Sequence, residues 1–584
     1  KDISINDSFW NKYINLVPEV IIPYQWDILN DRVEGAEPSY CISNFKIAAG
    51  EKDGEFKGAV FQDTDIAKWL EAVAYSLECN PNKELEKLAD EVIDLIGKAQ
   101  DETGYLNTYF TIKKPNLRWT NLKEGHELYT SGHMIEAAVA YYKATGKDKF
   151  LNIMIRNADL ICDVFGESKN NKGYPGHQEI ELALVKLFEV TGNKKYLYQA
   201  KSFIDRRGHE PNYFEIEEKE DSYEKIFPEL SGYLPLYSQS HLPVREQKTA
   251  EGHAVRATYM YCAMADLAYY YNDKELLDSC IRLWDNITTK RMYITGAIGS
   301  SGLLERFTTD YDLPNSSNYG ETCASIGLAL FGRRLMQITR EGRYMDVVEK
   351  ALYNTVLSGI ALDGKSFFYV NPLEVWPDNC LPKTSMEHVK PVRQKWFGVA
   401  CCPPNIARTL ASLGEYIYSL AEDTLWLNLF IGGRTRVKIG DRYVTIDVNT
   451  RFPFDGKINI QLADNDCMEF NLAVRIPGYV DNFSINVDGV DIGKDGLSKG
   501  YQYIRIKGQK EIEIDFDLTP KFVHANPLVR ADSGKVAVTK GPLVYCLEEV
   551  DNGSNLAAYF VNTKQAISEE YNENLLGGTT VLKF

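Results

Sequence analysis

The chain has 584 residues, of which 44% are hydrophobic and 25% are charged, so it is long enough for two or more packed domains. Its formal net charge is −17 and it has no basic run, which argues against nucleic acid as a partner. No segment approaches the roughly 18 to 20 apolar residues of a membrane span, so we expect no membrane partner either.

The first residues and the cysteines indicate where in or outside the cell the protein is located. The opening KDISINDSFW does not have the pattern of a signal peptide. Eleven cysteines form an odd, scattered set that is unlike a disulfide framework: Cys41, Cys79, Cys162, Cys262, Cys280, Cys323, Cys380, Cys401, Cys402, Cys467 and Cys546. We therefore expect a cytoplasmic protein. If a leader has been trimmed, the alternative is a periplasmic or secreted protein.

Between about residues 60 and 420, apolar residues recur at spacings of three and four, as in amphipathic helices. Two of these segments end in similar turns, TGKDKF after Thr145 and TGNKKY after Thr191, and weaker copies begin at Tyr271 and Arg340. The sequence therefore predicts a series of helical hairpins. Such hairpins can stack as an open solenoid or close into a ring. Polar and aromatic residues open the first helices, which favours a ring with one shared mouth.

After Asp423 the pattern changes to alternation of apolar and polar residues, in short runs such as YVTIDVNT and EIEIDFDL separated by Gly, Asp and Asn. This pattern predicts antiparallel β-sandwiches. A break at HANPLVRADSG suggests a further division. We expect a helical domain over 6–422, a β-sandwich over 423–525 and a second small β-rich domain over 526–584. The first five residues are free to pair with a sandwich.

One group of residues has the composition of a metal site. Glu321 and Cys323 open a predicted helix, and Cys401 and Cys402 stand together in GVACCPPNIA. Three thiols and a carboxylate suit Zn²⁺. Structural zinc sites usually take ligands in pairs two to four residues apart, and this spacing differs. The alternative is a buried thiol at Cys323 beside an exposed cysteine pair, and the spacing alone leaves both interpretations open.

Three of the eight histidines follow glycine at predicted helix starts: His133 in SGHMIEAA, His177 in PGHQEIEL and His253 in EGHAVRAT. In a ring of hairpins these starts share one mouth, so we expect the imidazoles to converge on a polar ligand such as a sugar. The alternative for each is a buried structural histidine. Aromatic rings stack on sugar faces, and Tyr369 and Trp396 lie beside the candidate site loops.

Six segments together resemble glycoside hydrolase family 127, the β-L-arabinofuranosidase family: GHMIEAAVAYY, GHQEIELALVKLFEVTG, EGHAVRATYMY, DYDLPNSSNYGETCASIG, FFYVNPLE and WFGVACCPPNIARTLASLGEYIY. The resemblance covers nearly the whole chain, and the combination of ETC with CCPPN is its most specific part. It implies a multidomain α + β fold, with an (α/α)6 barrel catalytic domain followed by antiparallel β-sandwich domains.

The resemblance also implies roles for individual residues. A zinc ion would be bound by Glu321, Cys323, Cys401 and Cys402. Cys401 would be the nucleophile, and Glu305 would be the general acid/base. Sugar-contacting residues of the family match His133, His177 and His253, with Tyr369 as a weaker match.

The activity implied is that of a retaining exo-glycosidase that removes terminal β-L-arabinofuranose from a glycan or glycopeptide, as a monomer or a homodimer. Arg306, directly after Glu305, departs from the family pattern, in which a small residue is expected. A cation there would lower the pKa of the acid/base or bind a carboxylate on the sugar. This leaves open a branched acidic pectin sugar as the substrate. A non-catalytic, zinc-stabilised carbohydrate-binding protein and an (α/α)6 epimerase or lyase are further alternatives.

Overall fold

A computed structural model of the chain describes residues 2–230, 234–463, 469–508 and 511–584. Its α-helices are, in chain order, α1 (Asn11–Ile14), α2 (Ile22–Leu29), α3 (Cys41–Ala48), α4 (Thr64–Cys79), α5 (Lys83–Ala99), α6 (Thr108–Lys113), α7 (Glu127–Thr145), α8 (Lys149–Phe165), α9 (Ile180–Thr191), α10 (Lys194–Arg206), α11 (Tyr213–Glu217), α12 (Ala254–Tyr270), α13 (Lys274–Asn286), α14 (Thr322–Thr339), α15 (Gly342–Ala351), α16 (Cys402–Ala411) and α17 (Glu549–Asn552).

Six of these helices form a closed inner ring. The order is α4, α7, α9, α12, α14 and α16, and α16 returns to contact α4. Five inner helices pair with the outer helix that follows them, namely α5, α8, α10, α13 and α15, while α16 packs against the N-terminal helical segment that begins with α1. This (α/α)6 barrel confirms the predicted ring over the open solenoid.

The two rings differ in burial, as their sequences require. Outer helix α5 buries one stripe that includes Val92, Ile93 and Ile96, and exposes the charged residues between. Inner helix α7 is buried on all sides from Glu127 to Tyr141. The Thr-Gly pairs of the predicted repeat are helix ends, because Gly146 (φ 74°) and Gly192 (φ 70°) adopt the left-handed conformation that stops α7 and α9.

The strands are β1 (Asp2–Ile5), β2 (Gly252–His253), β3 (Arg306–Phe307), β4 (Tyr418–Ala421), β5 (Thr424–Leu427), β6 (Gly433–Ile439), β7 (Arg442–Thr450), β8 (Lys457–Ala463), β9 (Glu469–Arg475), β10 (Phe483–Val487), β11 (Val490–Asp491), β12 (Leu497–Ser498), β13 (Tyr501–Lys507), β14 (Glu511–Phe516), β15 (Lys521–Val523), β16 (Ala537–Lys540), β17 (Leu543–Tyr545), β18 (Ser568–Asn572) and β19 (Thr579–Lys583).

Two larger sheets follow the barrel. One has the order β1-β6-β7-β8-β14-β10-β11 and the other β12-β13-β9-β5-β4. Alternation along β14 buries Ile512, Ile514 and Phe516 and exposes the acidic residues between them. The pairing is antiparallel except between β5 and β9, which run parallel. Parallel strands need a long crossover, which the chain between these two strands supplies by passing through the other sheet.

Smaller sheets complete the C-terminal part. Strand β1, at the start of the chain, pairs with β6, so that Ile5 lies opposite Gly433. Strands β15, β16 and β17 form a three-stranded sheet, and β18 pairs with β19. Strand β15 ends just before residue 525, and its partner β16 lies beyond it. The division of the chain at residues 422 and 525 stays a prediction.

Two expectations from composition can be compared with the structure. The ten cysteines in the described ranges are free thiols, and Cys467 lies outside the described residues. Among the described residues, none of the helices has the length and apolar composition needed to span a membrane.

Arg475 links the barrel to the five-stranded sheet. It is the last residue of β9, it is fully buried, and it binds two carboxylates of α15, Glu349 and Asp346. Its Nε also donates to the backbone oxygen of Asn428 at 2.6 Å. A buried charge is stable only when it is paired and hydrogen-bonded, so this interaction depends on both partners being present.

We expect Arg475→Met to lower the free energy of unfolding by about 3–5 kcal/mol, because it leaves the buried carboxylate of Glu349 and the partly exposed one of Asp346 without their cation. Denaturant unfolding measures this change. The control is Arg434→Met, which breaks an ion pair with Asp447 at 2.7 Å whose arginine side chain is 69% exposed. That variant should change stability by about 1 kcal/mol or less. Equal effects of the two substitutions would contradict the assignment.

Candidate active site

A cavity of about 1160 Å³ opens where the N-terminal ends of the inner helices meet. Its lining includes His126 and Tyr129 at the start of α7, His253 before α12, Cys323 in α14 and Cys401 before α16. The N-terminal ends of helices carry partial positive charge and unpaired N–H groups. The ring therefore gathers several such ends around one mouth, as the sequence predicted.

Three cysteines and one glutamate meet at the wall of this cavity, and all but the fully buried Cys402 line it. Sγ of Cys401 lies 3.3 Å from Sγ of Cys323, 3.7 Å from Sγ of Cys402 and 3.1 Å from Oε1 of Glu321. The candidate ligand atoms of the four residues all lie within 4.8 Å of one another. Glu321 is the residue before α14 and Cys401 the residue before α16, so two neighbouring inner helices supply the whole cluster.

The cluster fits a tetrahedral metal ion. Zn–S bonds of about 2.3 Å place two bound sulfurs about 3.8 Å apart, close to the separations found here. Oε2 of Glu321 is buried and has no hydrogen-bond partner among the described residues, as expected for an oxygen that faces a cation. Burial raises the pKa of the Cys401 and Cys402 thiols, so the protein alone does not favour thiolates there.

Glu305 reaches the cavity from a strained loop. Leu304 and Glu305 both have positive φ, 60° and 52°, which is unfavourable for side chains of this size. The loop is held by the pairing of β2 with β3, which sets His253 opposite Arg306. In this position the Glu305 carboxylate contacts Nε2 of His253 and accepts a hydrogen bond from the Tyr319 hydroxyl at 2.5 Å.

Glu305 and His253 form one titrating pair. Burial alone would raise the pKa of Glu305, but the contact with His253, the Tyr319 hydroxyl and the charge of Arg256 lower it below its ordinary value. Burial lowers the pKa of His253, and the contact with Glu305 opposes that effect. A hydrogen bond between an imidazole nitrogen and a carboxylate oxygen needs one proton between them, so the protonation of Glu305 and that of His253 are linked.

Three imidazoles line one wall of the cavity. The His177 ring lies 5.4 Å from the His253 ring and 5.7 Å from the His126 ring, measured between centroids. Burial lowers the pKa of all three, so these rings are neutral donors and acceptors at pH 7, suited to sugar hydroxyls. The sequence prediction missed His126. The signal was available, since Gly125-His126 repeats the Gly-His pair used to select the others.

Two of the residues predicted to contact the sugar, His133 and Trp396, do not line the cavity. His133 is the seventh residue of α7 rather than a helix start; it is fully buried and does not line the cavity. Its ring packs 4.6 Å from the ring of Tyr129, so it supports a cavity residue from behind. Trp396 is only 2% exposed and packs against Phe367, while the neighbouring Phe397 lines the cavity instead.

Tyr369 lines the cavity, whereas Arg306 does not. The Tyr369 hydroxyl lies 2.8 Å from Sγ of Cys401, inside the cavity. Arg306 does not line the cavity, and its Nε donates to the backbone oxygen of Phe307 at 2.8 Å. The described geometry therefore gives Arg306 no contact with the cavity. Arg256 is a cation that helps to lower the pKa of Glu305.

Three family models match almost the whole chain. A model described as the β-L-arabinofuranosidase GH127 catalytic domain covers residues 2–415, the GH127 middle domain covers 424–519, and the family 127 C-terminal domain covers 520–577. The chain belongs to glycoside hydrolase family 127. It is a glycoside hydrolase, and the resemblance seen in its sequence is confirmed.

Relatives agree with membership of family 127. A non-reducing end β-L-arabinofuranosidase of Bifidobacterium longum is 40% identical over an alignment 608 residues long. The alignment covers 99% of this chain and 91% of the relative. The crystal structure of a GH127 β-L-arabinofuranosidase from Geobacillus stearothermophilus T6 has a TM-score of 0.97 and 51% identity, covering 100% of this chain and 92% of that one. A further GH127 β-arabinofuranosidase structure has a TM-score of 0.88 and 36% identity, covering 100% and 90%.

We expect Gly252→Ala to reduce glycosidase activity by about 100-fold, because it displaces His253 and with it Glu305. Gly252 has φ 73°, and an added Cβ would lie 1.9 Å from the backbone oxygen of Leu236. Gly146→Ala is the matched control, since Gly146 has φ 74° but open space around it. It should lose about 1–2 kcal/mol of stability and keep its activity. Full activity of Gly252→Ala would refute this account of the β2–β3 pair.

Proposed function

We propose that the protein is a retaining exo-glycosidase that hydrolyses terminal β-L-arabinofuranosides. One observation carries this proposal: the Cys401 sulfur and the Glu305 carboxyl face the same cavity, and a ligand atom of each lies within 4.8 Å of one of Glu321. A nucleophile and an acid/base so placed suit double displacement at a sugar. The names of the relatives support the choice of sugar.

We further propose that Glu321, Cys323, Cys401 and Cys402 hold a zinc ion. Zinc, when bound, would keep the cysteine sulfurs deprotonated at neutral pH. The support is the donor set itself, the distances between its atoms and the unpartnered oxygen of Glu321. Partly exposed Cys401 is then the available nucleophile, because Cys402 is fully buried and Cys323 nearly so.

In the first half of the reaction, the Cys401 sulfur donates an electron pair to the anomeric carbon and forms a carbon–sulfur bond. The bond from that carbon to the aglycone oxygen breaks, and the departing oxygen takes the proton of the Glu305 carboxylic acid, which leaves Glu305 as the carboxylate that acts in the second half. The positive φ at Glu305 and its contacts with His253 and Tyr319 fix the orientation of the carboxyl group that donates this proton. The product is a cysteine S-glycoside.

In the second half, the Glu305 carboxylate removes a proton from a water molecule. The water oxygen attacks the anomeric carbon, the carbon–sulfur bond breaks, and the electron pair returns to Cys401. Two inversions give overall retention. The neutral rings of His126, His177 and His253 would hold the sugar hydroxyls during both halves. Arg306 was the reason to consider an acidic sugar, and it does not line the cavity.

Cys401→Ser should reduce hydrolysis of an aryl β-L-arabinofuranoside by at least about 1000-fold, because serine is a much weaker nucleophile at neutral pH. Glu305→Gln should cost about 10²- to 10⁴-fold through loss of the acid/base. Release of the aryl group measures both, and NMR of the first product should show retention. Exposed Cys79, changed to Ser, is the control. Near-normal turnover by Cys401→Ser would sink the nucleophile assignment, and a product without water added at the anomeric carbon would indicate an epimerase or lyase.

Protein purified under reducing conditions should contain one zinc per chain by elemental analysis. Cys402→Ser should lose most of this metal, whereas Cys280→Ser, which changes a buried cysteine outside the cluster, should keep it. Chelation should abolish activity and lower the melting temperature, and added zinc should restore both. A fully active, zinc-free protein would refute the metal proposal. Zinc binding without any hydrolysis would instead indicate the non-catalytic carbohydrate-binding alternative.

A further inference from the structure

Lys68 is a buried lysine beside the cysteine cluster. It belongs to inner helix α4 and is 1% exposed. Its Nζ donates to the backbone oxygen of Cys401 at 3.2 Å and to the hydroxyl of Tyr129 at 3.5 Å. Tyr129 lines the cavity, whereas Lys68 lies behind it. The ammonium group therefore stands next to Cys401 without touching the space a ligand would fill.

The charge of Lys68 has no carboxylate within ion-pair distance in the described part of the chain. Two other buried lysines do have one: Lys123 lies 3.1 Å from Glu218, and Lys540 lies 2.5 Å from Glu569. Asp65, one turn earlier in α4, accepts a hydrogen bond from Ser39 instead. The Cys401 carbonyl and the Tyr129 hydroxyl satisfy donors of Lys68 but do not neutralise its charge, so negative charge beyond ion-pair distance must compensate it.

The cysteine cluster supplies that negative charge. Three thiolates and one carboxylate carry four negative charges, and a divalent cation neutralises only two of them. Lys68 donates directly to the backbone of one of these ligands and is itself buried, so the attraction between its charge and the cluster is weakly screened. Among the described residues, the surplus charge of the cluster is the group that best accounts for the burial of Lys68.

We propose that Lys68 is a positioning residue for the nucleophile, which stabilises the thiolate of Cys401 when it departs from the sugar. The inference rests on the proposed function. A nearby positive charge makes a thiolate a better leaving group and a somewhat weaker nucleophile. Lys68 therefore assists the second half of the reaction, in which the carbon–sulfur bond breaks and the electron pair returns to Cys401.

The test uses Lys68→Met in the full-length, zinc-loaded protein with 4-nitrophenyl β-L-arabinofuranoside. We expect kcat to fall at least tenfold, with a burst of one equivalent of nitrophenolate and a sugar adduct on Cys401 in quenched samples analysed by mass spectrometry. Lys68→Gln keeps a donor for the Cys401 carbonyl but removes the charge, and it should behave in the same way. Lys68→Arg should restore most of the turnover.

Zinc binding separates this role from a structural one. Removal of a cation beside an anionic ligand set should leave the affinity for zinc equal or higher, as measured by competition with a chromophoric chelator. Damage to the fold would lower it. Lys540→Met removes a buried lysine from β16, far along the chain from the cluster, and should affect neither zinc binding nor the burst.

Two outcomes overturn the proposal for Lys68. One is normal turnover by Lys68→Met and Lys68→Gln, and the other is a joint loss of zinc binding and turnover in both, without a burst or an adduct. Failure of the proposed function is distinguishable from these, because it would appear as turnover by Cys401→Ser in the same assay. Inactive Cys401→Ser together with normal Lys68→Met would leave the proposed function intact and remove only Lys68 from it.

Discussion

The close approach of Glu321, Cys323, Cys401 and Cys402 is the constraint on which the rest of the molecule depends. Four acidic groups within 4.8 Å of one another, at the end of a barrel, cannot all ionise without a source of positive charge. The fold offers several such sources, in the N-terminal ends of α14 and α16 and in the buried ammonium of Lys68. A metal ion would complete the neutralisation.

The ring explains how residues so distant in sequence come together. Glu321 and Cys401 precede different inner helices, and adjacent positions in the ring bring the two helix ends into contact. Glu305 arrives by a different route, on a loop held by the short pairing of β2 with β3. The positive φ of Leu304 and Glu305 indicates that this loop keeps its acid in place at some conformational cost. The ends of the inner helices thus position the sulfur atoms, while a strained loop positions the carboxyl group of Glu305.

The sequence was sufficient to predict the elements but not their exact ends or the direction of each side chain. Apolar periodicity and the Thr-Gly pairs predicted the helical hairpins, because a left-handed glycine at a helix end leaves a clear signal. His133 does not line the cavity because α7 begins six residues earlier than its Gly-His pair implied, so its ring lies in packed protein. Arg306 differs for a similar reason: Glu305 has positive φ and lies before β3, whereas Arg306 is the first residue of that strand, so adjacency in the sequence does not give the two side chains a common direction. Spacing alone could not decide whether the cysteines met, since the closed ring is what joins Cys323 and Cys401, which are 78 positions apart.

The same helix that supplies two of the sulfur atoms also ties them to the barrel core. Asn405 and Arg408 follow Cys401 and Cys402 on successive turns of α16, and Arg408 donates to the Asn405 side chain at 2.6 Å. Arg408 in turn binds Glu71 of α4 at 2.8 Å and Glu136 of α7 at 3.2 Å. A buried network of this kind is weak evidence for stability, because desolvation offsets much of its attraction, but it permits few alternative arrangements. The charged core of the barrel therefore makes its main contribution to the orientation of α16, and so to the place where the cysteines meet the cavity.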